Sequence, residues 1–202
     1  MHNISMKRYA AVFAALFCAA AATPDVDKGK IIGSPSAPIR MDIYSDFECP
    51  ACKNFHEGTL PLIIRDYVMQ GKVYVVNHEF PLPIAAHAYS REEANYATAS
   101  ARLGIYQPVA DALFANQTAV INGAKPWPFL EKILSPKQQK DVLALSKDPA
   151  VLAEVQRDVE SGNKERVTST PTVFVTHGSS HYPLPFPIDY KLLRSLLDAF
   201  LK

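Results

Sequence analysis

The sequence predicts an α/β fold carrying an all-helical insertion, on three observations. β-forming segments flank a helix within the first 83 residues. β character is then lost from 84 to 166. It returns at Thr172–Thr176, ahead of a terminal amphipathic helix.

The elements follow in order. Residues 23–38 are polar and proline-bearing and read as an extended lead-in. Ile39-Arg40-Met41-Asp42-Ile43-Tyr44 alternates apolar and polar residues, the pattern of a strand. Pro50 suits the first position of a helix, where its missing N–H costs nothing. That helix is expected to reach about Tyr67, with a kink near Pro61. Lys72-Val73-Tyr74-Val75-Val76 is the second strand, and strand, helix, strand implies a right-handed parallel crossover.

The insertion begins with an alanine-rich helix over 85–103, closed by Gly104. Helices follow at 109–118 and 127–134. Ser135-Pro136-Lys137-Gln138 is a capping box opening another. Asp148-Pro149 opens the last, to about Arg166. After the strand at Thr172–Thr176, His181-Tyr182 is expected at a short edge strand. Leu192, Leu193, Leu196, Leu197 and Phe200 then form one helical stripe.

The N-terminus has the secretory pattern. Lys7 and Arg8 precede an uncharged apolar run from Tyr9 to Ala22, and Ala20-Ala21-Ala22 offers a cleavage site. The run falls short of the ~20 residues a spanning helix needs. An uncleaved anchor and a lipoprotein through Cys18 are weaker readings, the latter because bulky Phe17 precedes the cysteine. The expected organisation is a signal peptide at 1–22, a first α/β part at 23–83, the helical insertion at 84–166 and a second α/β part at 167–202. Formal charge is +1 in 202 residues, which points to neither nucleic acid nor an anionic membrane as partner.

Export decides how the cysteines are read. Of three, Cys18 leaves with the signal, and Cys49 and Cys52 remain. Two cysteines in an oxidising compartment should pair. A bridge closing so short a loop is a poor staple, so redox chemistry is the better reason for it. Cys49 stands at a predicted helix N-terminus, where unpaired N–H groups and the helix dipole favour a thiolate. Cys52, three residues on, lies within reach to resolve a mixed disulfide. A metal site completed by His56 remains an alternative, though zinc usually wants a second ligand pair.

The segment Ser45-Asp46-Phe47-Glu48-Cys49-Pro50-Ala51-Cys52, with Phe55 beyond it, resembles the active-site segment of DsbA-like thiol–disulfide oxidoreductases. Glu79-Phe80-Pro81-Leu82, with His87 and the alanine-rich helix, resembles that family's approach to its helical insertion. Thr170-Pro171-Thr172-Val173-Phe174 resembles its cis-proline loop. The resemblance spans about 33–200. It implies a thioredoxin fold with an inserted all-helical domain. It implies a cis Pro171 beside the cysteines, and Thr170 backbone groups that pair with an extended substrate. Pro50 and Ala51 become the active-site dipeptide. The redox-active Cys49–Cys52 disulfide serves in place of any separate cofactor or metal.

Two departures qualify it. Many relatives carry an acid six residues before the first cysteine, where it can shuttle the proton of the buried thiol; this chain has Ile43 there, Asp42 should face away, and Asp46 and Glu48, the candidates to substitute for that acid, read more simply as solvated loop acids. The best-known members carry His where this chain has Ala51. With Glu48 beside Cys49, this predicts a less stabilised thiolate and a potential below that of the strongest oxidants of the family.

Other residues read more plainly: His87 as a capping or packing histidine, His78, His177 and His181 as loop or strand-end residues, Trp127 as a core anchor of the insertion. Pro183-Leu184-Pro185-Phe186-Pro187 reads as a rigid connection or the rim of a peptide groove.

The leading functional expectation is a periplasmic or otherwise extracytoplasmic disulfide oxidase. It would act as a monomer on reduced exported polypeptides and be reoxidised by a quinone-linked membrane protein, DsbB-like or VKOR-like. A reductase or isomerase of the same fold is the alternative. Isomerases of this group generally carry a dimerisation domain, for which about 16 residues before the first strand leave no room. A metal-binding CxxC module is the third reading.

Overall fold

The computed structural model describes residues 28–184 and 187–202. The expected signal peptide, Cys18 and the pair Pro185-Phe186 lie outside the described residues.

Five strands form one mixed sheet: β1 (Ile31–Ile32), β2 (Ile39–Ser45), β3 (Val73–Glu79), β4 (Thr172–His177) and β5 (Ser180–Leu184), in the order β1-β3-β2-β4-β5. Only β2 and β3 are parallel, and their connection is the helix expected from the sequence. β1 was not anticipated: two isoleucines in a polar lead-in are too short a run to show a period, and pairing with Val75 and Val76 makes them a strand.

The connecting helix is interrupted beside Pro61, by π-helical turns rather than by a loss of helix. It runs as α1 (Pro50–Asn54), a π-helical turn Phe55–Thr59, α2 (Leu60–Ile63) and a second π-helical turn Ile64–Val68. The Leu60 N–H bonds the Phe55 carbonyl, five residues back. That wider turn makes room for the proline ring, which in a regular helix would strike the carbonyl four residues before it.

The pleat of β2 divides two faces. Ile39, Met41 and Ile43 join Val73, Val75, Val173 and Val175 in the main core, covered by Phe55, Leu60 and Ile63 together with Leu193 and Leu197 of the last helix. Asp42 and Tyr44 face the opposite side, as the alternation predicts. There Tyr44 meets Phe80 and Phe174 edge to face, with centroids 6.1 and 5.9 Å apart.

Six helices lie between β3 and β4: α3 (Ser90–Ala101), α4 (Tyr106–Ala115), α5 (Gln117–Ile121), α6 (Trp127–Glu131), α7 (Pro136–Leu145) and α8 (Pro149–Lys164). α9 (Tyr190–Phe200) closes the chain. α3 starts later than the alanine content suggests, because residues 85–89 form turns. Gly104, at φ +70°, ends it through bonds from its own N–H to Ala101 and from Ile105 N–H to Ser100. The capping box at Ser135 and Gln138 forms as its residues dictate. Trp127 is half-buried against Tyr96, and Leu130 is the buried anchor of its helix.

A buried ionic chain ties the lead-in, the sheet and α8. Lys30 Nζ lies 2.8 Å from Asp158 and 3.4 Å from Glu154. His78, next to the end of β3, is buried there and bridges Asp158 at 3.0 Å and Asp42 at 2.7 Å. Both carboxylates raise the His78 pKa against the opposing effect of its burial. Arg40 bonds Asp42 through Nε and Nη2. Buried charges persist only when paired in this way.

α8 packs so closely that Gly162 has no room for a side chain. A Cβ there would lie 2.5 Å from Phe80 Cε2 and 3.1 Å from Tyr44 Cδ1. Gly162→Ala gains about 1 kcal/mol of helix propensity but overpacks a buried aromatic cluster, at ~1–3 kcal/mol. The expected result is a lower urea midpoint; an unchanged or higher one would show that the Phe80 ring yields.

Candidate active site

The two cysteines sit where β2 hands the chain to α1. Cys49 is the extended N-cap residue (φ −83°, ψ 117°), Pro50 occupies the first turn, and no side chain caps the helix. The first N–H groups therefore converge on the Cys49 region. Both cysteines are free thiols. Cys49 is 8% exposed and Cys52 only 1%, so a partner can reach the first sulfur more readily than the second.

Their surroundings separate the two thiols further. The Cys49 pKa falls from 9.0 to about 5: the adjacent Cys52 thiol draws it down most, and the N–H groups of Cys52 and Ala51 add to this against the cost of burial. The Cys52 pKa rises well above 9.0, chiefly by burial, then through the adjacent Cys49. Asp46 N–H approaches the Cys52 sulfur at 3.5 Å. The pair is thus a nucleophile near neutrality beside a thiol that keeps its proton.

The loop from β4 completes the site. The Thr170–Pro171 bond is cis, and the Cys49 sulfur, in its thiol form, donates to the Thr170 carbonyl at 3.2 Å. Cys49, Cys52, Thr170 and Pro171 are thereby brought together, with exposed Pro50 and half-buried Ala51 at the rim. A depression of about 220 Å³ lies beside them, lined by Ala51, Asn54, Phe55, Thr59, Pro171 and Ile188 among others. His56, considered above as a metal ligand, instead bonds Asp111 at 2.7 Å and packs on Phe114.

The insertion holds the loop from above. Gln117 Nε2 donates to the carbonyls of Phe47 (2.6 Å) and Cys49 (2.9 Å). Phe47 packs on Phe114, centroids 4.8 Å apart.

Asp46 and Glu48 are not solvated loop acids; each is 1% exposed. Asp46 accepts from Glu48 N–H (2.8 Å), Leu82 N–H (2.7 Å) and His87 Nδ1 (2.8 Å). Glu48 accepts from Tyr89 N–H at 2.7 Å, and burial raises its pKa. A third acid, Glu93, was not anticipated, since nothing marks it within the alanine-rich helix. It is fully buried, and neither carboxylate oxygen has a hydrogen-bond partner among the described residues. Burial, then Glu48 and Asp46, push its pKa up to about 9, so it is neutral at pH 7. The position six residues before Cys49 is core: Ile43 is 3% exposed.

Two predictions follow from the thiol asymmetry. The reduced protein should show a thiolate absorbance step near pH 5, with single alkylation at Cys49 at pH 7. Cys52→Ala removes the largest stabilising bond and should move that step to higher pH; an unmoved step would show that the helix N-terminus alone suffices. A depressed pKa contributes stability that is complete above the unfolded value near 9 and is lost as pH falls through about 5. The oxidised protein has no such thiolate. The melting temperature of the reduced form relative to the oxidised form should therefore climb between about pH 5 and 9, and a pH-independent difference would contradict the assignment.

Comparison with known proteins adds to this geometry. The family profile described as Thioredoxin matches residues 25–199. Probable disulfide bond formation protein D of Bacillus cereus is 26% identical over 180 residues, 85% of this chain and 78% of that protein. Na(+)/H(+) antiporter NhaA 3 of Salinispora tropica is 29% identical over 178 residues, 87% of this chain and 25% of that protein. The chain thus spans about a quarter of the antiporter's length. Among solved structures, alpha-DsbA1 of Wolbachia pipientis superposes with a TM-score of 0.69 at 21% identity, over 85% of this chain and 89% of that one. DsbA2 of Pseudomonas aeruginosa gives 0.67 at 24% identity, over 85% and 93%. At these identities the superpositions establish the fold.

Proposed function

Because the chain belongs to the thioredoxin family, as a DsbA-like member of that superfamily with a helical insertion, we propose that it is an exported thiol–disulfide oxidoreductase that introduces disulfides into other exported polypeptides. The observation that carries this reading is the placing of the two thiols: Cys49 N-caps α1 with no side-chain cap and lies against the Thr170 carbonyl of the cis-proline loop, while Cys52 is buried behind it; that setting draws the Cys49 pKa down to about 5 and holds Cys52 well above 9.0. Cys49 falls within the roughly 3.5–7.5 range of reactive cysteines.

In the oxidising direction a substrate thiolate attacks the Cys49 sulfur of the Cys49–Cys52 disulfide. The S–S bond breaks and its electron pair goes to Cys52. A second substrate thiolate then attacks the substrate sulfur of the mixed disulfide, and Cys49 leaves as a thiolate. Bonds to that thiolate stabilise it as leaving group and stabilise the reduced protein, which makes the disulfide an oxidant. The Thr170 carbonyl and its peptide lie beside Cys49 and offer an extended substrate a backbone partner. The depression between Ala51 and Pro171 offers its side chains a seat of mixed character, with Phe55 and Ile188 beside Asn54, Thr59 and Asp189. The two electrons rest on the cysteine pair, with no separate cofactor or metal in the scheme. A quinone-linked membrane protein restores the disulfide, and the protein works as a periplasmic or otherwise extracytoplasmic monomer.

Thiolate stabilisation sets the expected potential. The Glu48 carboxylate, cited above as a charge working against the thiolate, is occupied by Tyr89 N–H. Ala51 still supplies no side-chain donor. Equilibration with glutathione buffers should place the Cys49–Cys52 couple between about −120 mV, the strongly oxidising end, and the glutaredoxin range near −200 mV. A value near −270 mV, typical of a reductant, would overturn the oxidase reading in favour of a reductase.

A further inference from the structure

Exchange through Cys49 needs no proton at Cys49, but it needs one at Cys52. A sulfur whose pKa is well above 9.0 leaves as a poor thiolate unless a proton reaches it. It is 1% exposed, and the strand position beneath it is Ile43. The proton must come from within the protein.

The structure contains a route. In the parallel pairing of β2 with β3, Ile43 lies opposite Asn77 and Ser45 opposite Glu79, so Ser45 and Glu79 project side by side from the face that carries the cysteines. The Ser45 and Cys52 side chains line one cavity. It has a volume of about 20 Å³, and Asn77, Tyr106, Gln107 and His56 are among its other lining residues. That is room for one water, and the lining supplies the polar partners one requires. Glu79 stands outside that lining and is joined to it by Tyr106, whose hydroxyl donates to Glu79 Oε1 at 2.8 Å. Glu79 is 1% exposed.

We infer that Glu79 is the proton-transfer partner of Cys52, acting through the Ser45 hydroxyl and one water in this cavity. The inference rests on the thiol–disulfide exchange proposed above. When a thiolate attacks Cys49, the Cys49–Cys52 bond breaks, its electron pair goes to the Cys52 sulfur, and the Glu79 carboxyl gives that sulfur its proton. In the reverse step Cys52 returns the proton to the Glu79 carboxylate as it attacks the mixed disulfide, and the electron pair leaves on the departing sulfur.

The charge around Glu79 suits both directions. Burial raises its pKa to about 7; Lys30, the Tyr106 hydroxyl and His78 oppose the rise, and Asp158 adds to it. Lys30 is shared with Asp158 and Glu154 of α8. From α3 the buried Glu93 also senses Glu79. A group that titrates near the working pH can both give and take a proton.

The test uses the oxidised protein, in which neither cysteine titrates. Its reduction by dithiothreitol is followed across pH, with each rate divided by the dithiothreitol thiolate concentration. The wild-type rate should fall as pH rises through about 7. Glu79→Gln should flatten that profile and slow the reaction at pH 6 by roughly 100-fold or more. Tyr106→Phe removes a bond that favours the Glu79 carboxylate, so the inflection should move to higher pH. The Cys49 step near pH 5 in the reduced variants reports an intact site. A Glu79→Gln profile that keeps the wild-type inflection overturns the inference. So does a Tyr106→Phe inflection that stays in place, which decides the matter if Glu79→Gln does not fold. Wild-type protein that dithiothreitol cannot reduce overturns the exchange reading itself, and the inference with it.

Discussion

The Asp46 carboxylate holds the site in place. It sits where the central strand ends, and it accepts one bond from the cysteine loop, one from the chain leaving β3 and one from His87. Its own N–H points at the Cys52 sulfur. A carboxylate with three donors, shut away from water, is far more costly to leave unpaired than an exposed one. The two segments it binds therefore have one mutual arrangement. The start of α1, the route into the insertion and the buried thiol all inherit their positions from it.

Local chemistry in the sequence was enough to show the framework. The alternation of Ile39, Met41 and Ile43, the proline after Cys49, the capping residues Ser135 and Asp148 and the leucine stripe of α9 each act within a few residues, and each appears where its physics requires. The cysteine pair was visible for the same reason, whereas the proline loop showed only through its resemblance to a known family, because spacing alone reads as a trans proline opening a strand. The roles of Asp46, Glu48, His78 and Glu93 were not visible, because nothing within a few residues of them indicates burial. Asp46 finds its partners at Leu82 and His87, and His78 finds one at Asp158, 80 residues on. Whether a polar residue is a solvated loop acid or the centre of a network depends on tertiary neighbours that a period of 2 or 3.6 does not encode. Pro61 shows the converse: its local rule was right about the clash, and the helix met it by widening instead of breaking.

The two faces of the sheet do different work. One is apolar and carries the redox helix; the other collects Lys30, Arg40, Asp42, His78, Glu154 and Asp158 into paired charges under α8. Glu79 and Tyr106 lie where these regions meet, so the polar network and the sulfur chemistry share a boundary at the end of β3. A buried ion pair contributes little net stability by itself. Its presence here fixes how α8 and the lead-in register against the sheet.

Gln117 ties the inserted helices to the catalytic turn more closely than topology suggests. Its one amide nitrogen serves two carbonyls of the turn, and Phe114 from the same region roofs Phe47. Trimming this chain to its sheet and two flanking helices would uncover both carbonyls and that aromatic contact at once. The insertion is thus part of the turn's own scaffolding, and a minimal version of the domain could not be made by excision without redesigning the residues around Cys49.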